Sequence, residues 1–393
     1  NKISQPKPDH PGKAMAFRYQ EKLSKNGQFN IDNWSKSQQQ VKNMQRLASY
    51  DAGLTSELWQ ELGPGNIGGR IRSFAFDPTD SNRIIAGSVS GGLWQTTNLG
   101  QSWSPVDDFM ANLSISSVIF DPNDTDIVYA GTGEGTFNAD NVRGYGVFRS
   151  NDKGQSWQSL AATAASYDFY WVNRLVIPAG TDKLFAATET GIWRSLDGGE
   201  SWSQSYQERT NDIDVAPDNA ANMIAGTWQG VVYSTDAGDT WTSSTGLDGI
   251  SGRTEVAYAT SDSNIVYASI DNNSGEVYKS TDGGQSFSLV NSGTSYLGSQ
   301  GWYDNALWVD PVDANHIIVG GIDLFRSTNG GQNLTQISSW WAAPDSAHAD
   351  HHFILQHPDY DGVTNKQVFF ANDGGMYTAQ DVTSVVSGWI DTG

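Results

Sequence analysis

SLDGGESW, residues 195–202, is the segment that decides the fold of this chain. Asp197 can cap a tight turn, Gly198 and Gly199 accept positive φ angles, and Trp202 opens a returning strand. The segment therefore predicts a β-hairpin whose indole folds back over the turn. The same pattern recurs as TTNLGQSW ending at Trp103, SNDKGQSW ending at Trp157, STDAGDTW ending at Trp241, STDGGQSF ending at Phe287 and STNGGQNL ending at Leu334. The third positions are spaced by 54, 45, 39, 46 and 47 residues, a period typical of a radial β array.

Each repeat contains four short strand-like segments, of which the third precedes the hairpin. Seven such units run from residue 58 to residue 393, and the seventh has a degenerate hairpin with an insertion between Thr378 and Trp389. We therefore expect an all-β fold, a seven-bladed β-propeller of four-stranded blades. Two segments, 58–64 and 387–393, compete for the fourth strand of the last blade. Either the second is surplus, or the natural protein continues into further blades and this chain is part of a larger protein.

Residues 1–57 differ from the rest of the chain in charge. They carry nine Lys and Arg against five Asp and Glu, whereas the remaining 336 residues carry 14 against 39. A short helix is expected after Pro11, and a second one is indicated by a stripe of apolar residues, Trp34, Val41, Met44 and Leu47. We predict a basic helical arm over 1–57 that packs on the acidic propeller of 58–393, with a cleavable pro-segment or a linker as the alternatives.

Composition excludes several classes of function. The acidic body of the chain argues against nucleic-acid binding, which needs a basic surface. No run of 18 apolar residues is present, so no membrane-spanning helix is expected. The chain has no cysteine, which rules out disulfides and thiolate metal sites.

The S/T-x-D/N-x-G-x-x-W element resembles the Asp-box, or BNR, repeat of sialidases, two-propeller xyloglucanases, sortilin-type domains, a photosystem assembly factor and ulvan lyases. ELGPGNIGGRIRSFAFDP and HADHHFILQHPD are most similar to secreted bacterial proteins with sortilin-like (VPS10-like) or glycosyl-hydrolase-type repeats. This resemblance implies a secreted or cell-surface bacterial protein in which the hairpins are structural. At the position of a catalytic Asp in the first blade of xyloglucanases this chain has Val89, and NRLVIP, with Arg174, is a poor match to the sialidase FRIP motif.

In a propeller, the loops between blades and those between second and third strands share one face around the axis, where a binding funnel is expected. The repeat places arginines and aromatic rings there. The predicted substrate-binding residues are Arg70, Arg72, Trp171, Trp228, Arg253, Trp302, Trp340 and Trp341. Flat rings can stack on sugars or peptide side chains, and arginine suits the carboxylate of a uronic or sialic acid. Packing and ion pairs between blades are the structural alternatives.

HADHH, residues 348–352, is the most distinctive polar segment. If it is extended, His348, Asp350 and His352 point to one side and could hold a divalent metal, calcium or zinc. A histidine acting as general acid or base, or a structural hydrogen-bonded cluster, are the alternatives. Acidic residues facing the funnel could include a glycosidase pair. The predicted catalytic residues are His352, His351, Arg174, Tyr303, Asp373 and Glu134.

Three functions are compatible with these patterns. The favoured one is a monomeric propeller that binds a polysaccharide through the funnel, with cleavage left open. The second is a non-catalytic propeller of sortilin-like type that binds a protein or peptide. The third is a polysaccharide lyase, in which Arg174 or Arg253 neutralises a uronate and Tyr170, Tyr303 or a histidine of 348–352 acts as base. An enzyme would accordingly be a glycoside hydrolase or a polysaccharide lyase.

Overall fold

The computed structural model describes residues 36, 37, 40 and 43, and residues 69–393 except 109, 139, 140, 343 and 344. The chain divides into two units, residues 1–59 and 60–393. The four described residues of the first unit are helical. The predicted apolar stripe of the arm and the strand candidate 58–64 lie outside the described residues, so the helical arm over 1–57 stays a prediction. Within the described part of the chain, no helix is long and apolar enough to cross a membrane.

From residue 69 onward the chain forms seven antiparallel sheets of four strands, each sheet being one blade, which confirms the predicted seven-bladed architecture. Blades one to three are β1 Ile71–Asp77, β2 Asp80–Ser88, β3 Gly92–Thr96 and β4 Ser104–Pro105; β5 Ile115–Phe120, β6 Val128–Thr132, β7 Val147–Ser150 and β8 Gln158–Ser159; β9 Val172–Val176, β10 Leu184–Thr188, β11 Gly191–Ser195 and β12 Ser203–Tyr206. Blades four and five are β13 Thr210–Val215, β14 Met223–Thr227, β15 Gly230–Ser234 and β16 Thr242–Ser243; β17 Thr254–Ala259, β18 Asp262–Ile270, β19 Glu276–Ser280 and β20 Ser288–Asn291. Blades six and seven are β21 Ala306–Val309, β22 Ile317–Gly320, β23 Leu324–Ser327 and β24 Thr335–Gln336; β25 His351–Gln356, β26 Val368–Asn372, β27 Gly375–Ala379 and β28 Ile390–Asp391.

The second strands of the blades are the most deeply buried, although β2 and β18 begin with four exposed or half-buried residues. Every residue of β6, β10 and β14 is buried, because a neighbouring blade covers each face of the sheet at this position. A strand covered on both faces reads as a continuous run of apolar and small residues rather than as an alternating pattern. Phe185 of blade three and Met223 of blade four belong to one such core between blades.

The turn at 195–202 carries the hydrogen bonds that its sequence predicts. Asp197 accepts the backbone N–H of Ser201 at 2.9 Å and its hydroxyl at 2.6 Å, and the hydroxyl of Ser195 donates to Asp197 at 2.8 Å. These bonds lower the pKa of Asp197 to about 2. The indole of Trp202 donates to the carbonyl of Gly199 at 3.0 Å and so folds back over the turn.

The hairpins also space the blades. A Cβ atom on Gly199 would lie 2.3 Å from Leu160 of the preceding blade, and one on Gly238 would lie 2.5 Å from the ring of Phe185. Both glycines have positive φ angles, 96° and 74°. Glycine is therefore required for two reasons, the positive φ of the turn and the close approach of the preceding blade.

The ring closes between blades one and seven. The fourth strand of blade seven is β28, so the C-terminal candidate of the two competing segments takes that place. The indole of Trp103 in blade one donates to the carbonyl of Thr392 directly after β28. Phe74 of blade one packs edge-on against Phe353 and Phe369 of blade seven, with ring centroids 5.3 and 6.4 Å apart.

Candidate functional site

A narrow axial cavity opens where the first strands of the blades converge. The lining includes residues from the starts of first strands and from loops between second and third strands, as the repeat predicts. Among them are Arg72, Val89, Glu134, Asn173, Arg174, Asn211, Arg253, Glu255 and His352. The cavity volume is about 50 Å³, room for a few water molecules and too little for a sugar ring. Val89 is buried in the wall, so the position that corresponds to a xyloglucanase Asp contributes an apolar surface.

Glu134 joins two arginines on one side of this cavity. Its carboxylate lies 3.0 Å from Nη1 of Arg70 and 2.5 Å from Nη2 of Arg72. Arg70 also contacts Asp373 through Nε at 3.0 Å. Four charged groups predicted as catalytic or substrate-binding thus form one connected network of opposite charges: Arg70, Arg72, Glu134 and Asp373. The buried guanidinium of Arg72 is held by a protein carboxylate rather than presented to a ligand.

His352 lies between Arg72 and Asp373, with Nδ1 2.9 Å from the guanidinium and Nε2 2.7 Å from the carboxylate. A guanidinium only donates hydrogen bonds, so Nδ1 must accept and the ring proton must be on Nε2, which donates to Asp373. Burial, reinforced by the charge of Arg72, lowers the pKa of His352 well below its usual value. The ring is neutral and both of its nitrogens are occupied, so the predicted role as a general acid or base does not fit this arrangement.

Asp373 is the acceptor at the centre of the network. The hydroxyl of Tyr303 donates to it at 2.7 Å, in addition to the bonds from His352 and Arg70. Burial acts to raise the pKa of Asp373, but these donors and the positive charge outweigh it and hold the pKa well below the usual range. Burial also raises the pKa of Tyr303 far above its usual value, so the phenol stays protonated. Neither Tyr303 nor His352 therefore supplies the free base that the lyase hypothesis needs.

A second set of charges lies on the opposite part of the cavity wall. Arg174 contacts Asp212 at 2.8 Å, and Nε of Arg253 donates to Glu255 at 2.9 Å. Burial raises the pKa of Glu255 to about 7, although Arg253 acts to lower it. Arg174 and Arg253 are thus paired with carboxylates of the protein. Ion pairs of this kind are the structural alternative to ligand binding that the sequence left open for these arginines.

An aromatic strip borders the cavity on blades two to four. Phe137 lies 5.0 Å from Trp171, and the guanidinium of Arg209 lies 5.4 Å from Phe137 and 4.2 Å from Trp228. Arg209 is oriented by Glu189 at 2.7 Å. The phenyl ring of Phe137 is 48% exposed, although its backbone has a φ of 57°, a conformation that costs energy in a residue other than glycine.

The most exposed rings predicted for the funnel come from blades six and seven. Trp302, Trp340 and Trp341 are 38%, 52% and 68% exposed. The last two stand edge to face, 6.1 Å apart, in the 3-10 turn Trp340–Ala342. Asp323, between β22 and β23, accepts the backbone N–H of Trp340 at 2.9 Å and so ties this turn to the face that carries the loops between second and third strands.

The segment 348–352 does not have the extended geometry on which the metal prediction depends. Asp350 has a φ of 65°, and β25 begins only at His351. His348 is exposed, whereas His352 is bonded to Arg72 and Asp373, so the predicted triad of His348, Asp350 and His352 is not gathered into a site. Within the described ranges, no group of three or more His, Asp and Glu side chains is arranged to hold a metal ion.

His351 is fully buried beside Phe370, and neither ring nitrogen has a hydrogen-bond partner among the residues that the structure describes. Burial lowers its pKa to about 3. It faces the core rather than the cavity, so its predicted catalytic role does not fit its position.

Sequence reasoning did not single out several residues that shape the site. Glu255, Asp212 and Arg209 are all at or near the start of a first strand, which is the same signal that identified Arg70 and Arg174. Polar residues at the head of an otherwise apolar strand could therefore have marked them. Asp304, which precedes β21, has the same signal, and both of its carboxylate oxygens are buried with no other described residue donating to them.

The comparisons with known proteins agree with this fold. No family model matches the chain. A xyloglucanase from Paenibacillus sp is 24% identical over 262 residues, which are 63% of this chain and 23% of that protein. The chain spans less than a quarter of the length of the curated relatives it matches, all of which are xyloglucanases.

Two solved structures are similar in fold. A GH74 enzyme of Niastella koreensis has a TM-score of 0.62 at 18% identity, over 82% of this chain and 54% of that one. YCF48 bound to D1 peptide has a TM-score of 0.56 at 16% identity, over 80% of this chain and 94% of that one. If this chain is an enzyme, its xyloglucanase relatives support a glycoside hydrolase.

Proposed function

We propose that this chain is a polysaccharide-binding propeller whose ligand lies across the mouth of the axial cavity. The observation that carries the proposal is the group of exposed tryptophans on blades six and seven, Trp302, Trp340 and Trp341. Exposed rings held on ordered backbone provide flat apolar surfaces of the kind that stack on sugar rings. The curated relatives, xyloglucanases, act on a neutral polysaccharide, and this supports the same class of ligand here.

The ligand lies across the mouth because the cavity is too narrow to admit it. The 50 Å³ space is closed by ion pairs among Arg70, Arg72, Glu134 and Asp373. These pairs hold Glu134 in the loop that carries Phe137, and Asp373 accepts from Tyr303 next to Trp302, while Asp323 holds the turn of Trp340. The network is a rigid support for the binding face, and the rings above it make the contacts with the ligand.

Hydrolysis is a further element of the proposal. A glycosidase needs one carboxyl group that stays protonated near neutral pH and a second that is ionised. Burial raises the pKa of Glu255 to about 7, whereas hydrogen bonds and nearby positive charge keep Asp373 ionised. Carboxyl groups of both kinds therefore occur around the cavity. We also propose, from the resemblance of the hairpins to Asp-box repeats, that the protein is secreted or displayed on the cell surface and is monomeric.

The test is affinity electrophoresis of the whole chain in gels that contain xyloglucan, with reducing-end release measured in parallel. We expect retardation by xyloglucan and about tenfold weaker binding for Trp340→Ala and Trp341→Ala, since stacking rings supply much of the binding energy at such sites. The matched control is Leu196→Ala, which removes an exposed apolar side chain from the hairpin at the outer rim. Absence of retardation by any polysaccharide, or equal binding by the tryptophan variants and the control, contradicts the proposal.

Peptide binding is the second candidate, because the structure of YCF48 with a bound peptide shares the fold over nearly its whole length. Exposed tryptophans also suit peptide side chains. A peptide array probed with the chain and with Trp341→Ala separates the two candidates. Sequence-selective binding that is lost in the variant, without retardation by xyloglucan, favours the peptide.

A further inference from the structure

Asp304 is a buried carboxyl group to which no other described residue donates. It is fully buried directly before β21, and neither carboxylate oxygen has a hydrogen-bond partner on another residue of the described part of the chain. The side chain that faces it is Asp350, another carboxyl group. Two carboxylates can only accept hydrogen bonds, so ionised groups would leave Asp304 charged, buried and unpaired, at a cost of several kcal/mol. A proton between the two groups supplies the missing donor.

The proton belongs on Asp304. Burial, together with the hydrogen bond and charge of Asp350, raises the pKa of Asp304 to about 9. Burial raises the pKa of Asp350 as well, but this side chain is only partly buried and the bond from Asp304 acts to lower its pKa. At neutral pH the protonated Asp304 therefore donates to an ionised Asp350, and the pair carries one negative charge in all.

Asp350 is held in place at the mouth of the cavity. Its backbone has a φ of 65°, and its N–H and that of His351 donate to the carbonyls of Ile322 and Gly321 at 3.2 and 2.9 Å. The preceding carbonyl, that of Ala349, accepts the N–H of Asp373 at 3.3 Å. The carboxylate is thus fixed next to the network around Asp373, on a backbone conformation that costs energy.

An exposed ring belongs to the same segment of the chain as Asp304. Trp302 stands two residues before Asp304 and packs on Tyr303 with ring centroids 5.6 Å apart. The hydroxyl of Tyr303 in turn reaches Asp373 at 2.7 Å. An exposed flat ring and an anchored carboxylate suit a sugar together, since a ring can cover an apolar sugar face and a carboxylate can accept hydrogen bonds from hydroxyl groups.

We propose that Asp350, oriented by the protonated Asp304, accepts hydrogen bonds from the hydroxyl groups of an uncharged sugar ring that stacks on Trp302. This inference rests on the proposed function and adds its ligand class: neutral polysaccharides bind, and polyuronates are rejected. The charges that face the pair are those of Asp323, Asp373, His348, Arg70 and Arg253. Arg70 and Arg253 are paired with carboxylates of the protein, so the surface presented to the ligand is acidic.

The first test compares binding of neutral xyloglucan and of polygalacturonate. Asp350→Ala should weaken xyloglucan binding about tenfold or more, because a hydrogen bond to a charged acceptor is lost. Asp345→Ala, an exposed residue of the same loop, is the matched control and should stay within about twofold. Equal effects of the two substitutions, or polygalacturonate binding as tight as that of xyloglucan, overturn the inference. If Trp340→Ala weakens binding and Asp350→Ala does not, polysaccharide binding stands and this subsite falls.

The second test needs no ligand. Infrared difference spectra of the whole chain at about pH 7 should show the carbonyl stretch of one protonated carboxyl group that is missing in Asp304→Asn, since an ordinary Asp is ionised there. The amide of the variant can still donate to Asp350, so its xyloglucan affinity should stay within about threefold at that pH. Between about pH 8 and 10 the wild type should lose affinity as the pair becomes doubly charged, and the variant should not. A wild-type spectrum without that band overturns the shared proton.

Discussion

Nε2 of His352 lies 2.7 Å from Oδ1 of Asp373, and this bond joins a neutral imidazole to a carboxylate that stays ionised. On its other side the same ring accepts from Arg72, so one histidine links a cation to an anion without carrying charge. A histidine in this position looks catalytic in a sequence, because it is polar and close to acidic residues. Its bonds show that it orients the charges around the mouth instead.

The buried histidines should make the protein acid-sensitive. The pKa of His351 is lowered to about 3 in the folded protein, whereas in the unfolded chain this histidine binds a proton near pH 6.5. The contribution of the neutral ring to the free energy of unfolding is therefore fully present above pH 6.5 and is lost as the pH falls toward 3. The free energy of unfolding should fall by about 1.4 kcal/mol per pH unit for each such histidine. Urea titrations at several pH values give the free energy of unfolding as a function of pH. For His351→Gln this dependence should be less steep than for the wild type by one proton, and for the exposed His348→Gln it should match the wild type. Identical slopes for wild type and His351→Gln contradict the burial effect.

Glu134→Gln should destabilise the fold by about 3 kcal/mol, because it leaves the buried charge of Arg72 without its ionic partner. Glu208→Gln changes the same side chain at an exposed position and should stay within about 0.5 kcal/mol of the wild type. Urea unfolding at neutral pH measures both. A loss for Glu134→Gln no larger than that of the control would mean that the network does not stabilise the ring.

Gly238→Ala should be more harmful than Gly249→Ala. Both glycines have φ angles near 75°, and the strain of a Cβ in that region costs about 1–2 kcal/mol. At Gly249 the added atom would meet nothing within 4 Å, whereas at Gly238 it would lie 2.5 Å from the ring of Phe185. We therefore expect a further loss of about 1–3 kcal/mol from overpacking at Gly238 alone, measured by urea unfolding. Equal losses would show that the blades have room to separate.

The blade count could be predicted because the hairpin signature repeats and each turn residue has a local role. Asp197 and Trp202 need only their own turn to form their hydrogen bonds, so the sequence pattern is sufficient there. The same frame placed Glu134, Asp373 and Tyr303 around one axis. The sequences of the two candidate segments could not show which one closes the last blade, because closure depends on pairing with β27.

The roles within the site could not be predicted because they depend on contacts between distant blades. Arg72 and Glu134 are 62 residues apart, and His352 reaches Arg72 across 280 residues. Alternation along an extended strand predicted one orientation for His348, Asp350 and His352, and the positive φ of Asp350 breaks that alternation. The sequence repeat therefore predicted which residues share one face of the propeller, but it could not predict which charged side chains pair with each other there.

Closure of the ring should depend on the aromatic core between blades one and seven. Phe74 is 1% exposed in that core, and Phe74→Ala should cost about 3–5 kcal/mol because it leaves a cavity. Phe137→Ala makes the same change at a ring that is 48% exposed and should cost less than about 1 kcal/mol. Hydrogen exchange should then show faster exchange in β1 and β25 for Phe74→Ala, since these strands face each other where the ring closes. Uniform acceleration over all seven blades would instead mean that the ring unfolds as one unit and does not open at this junction.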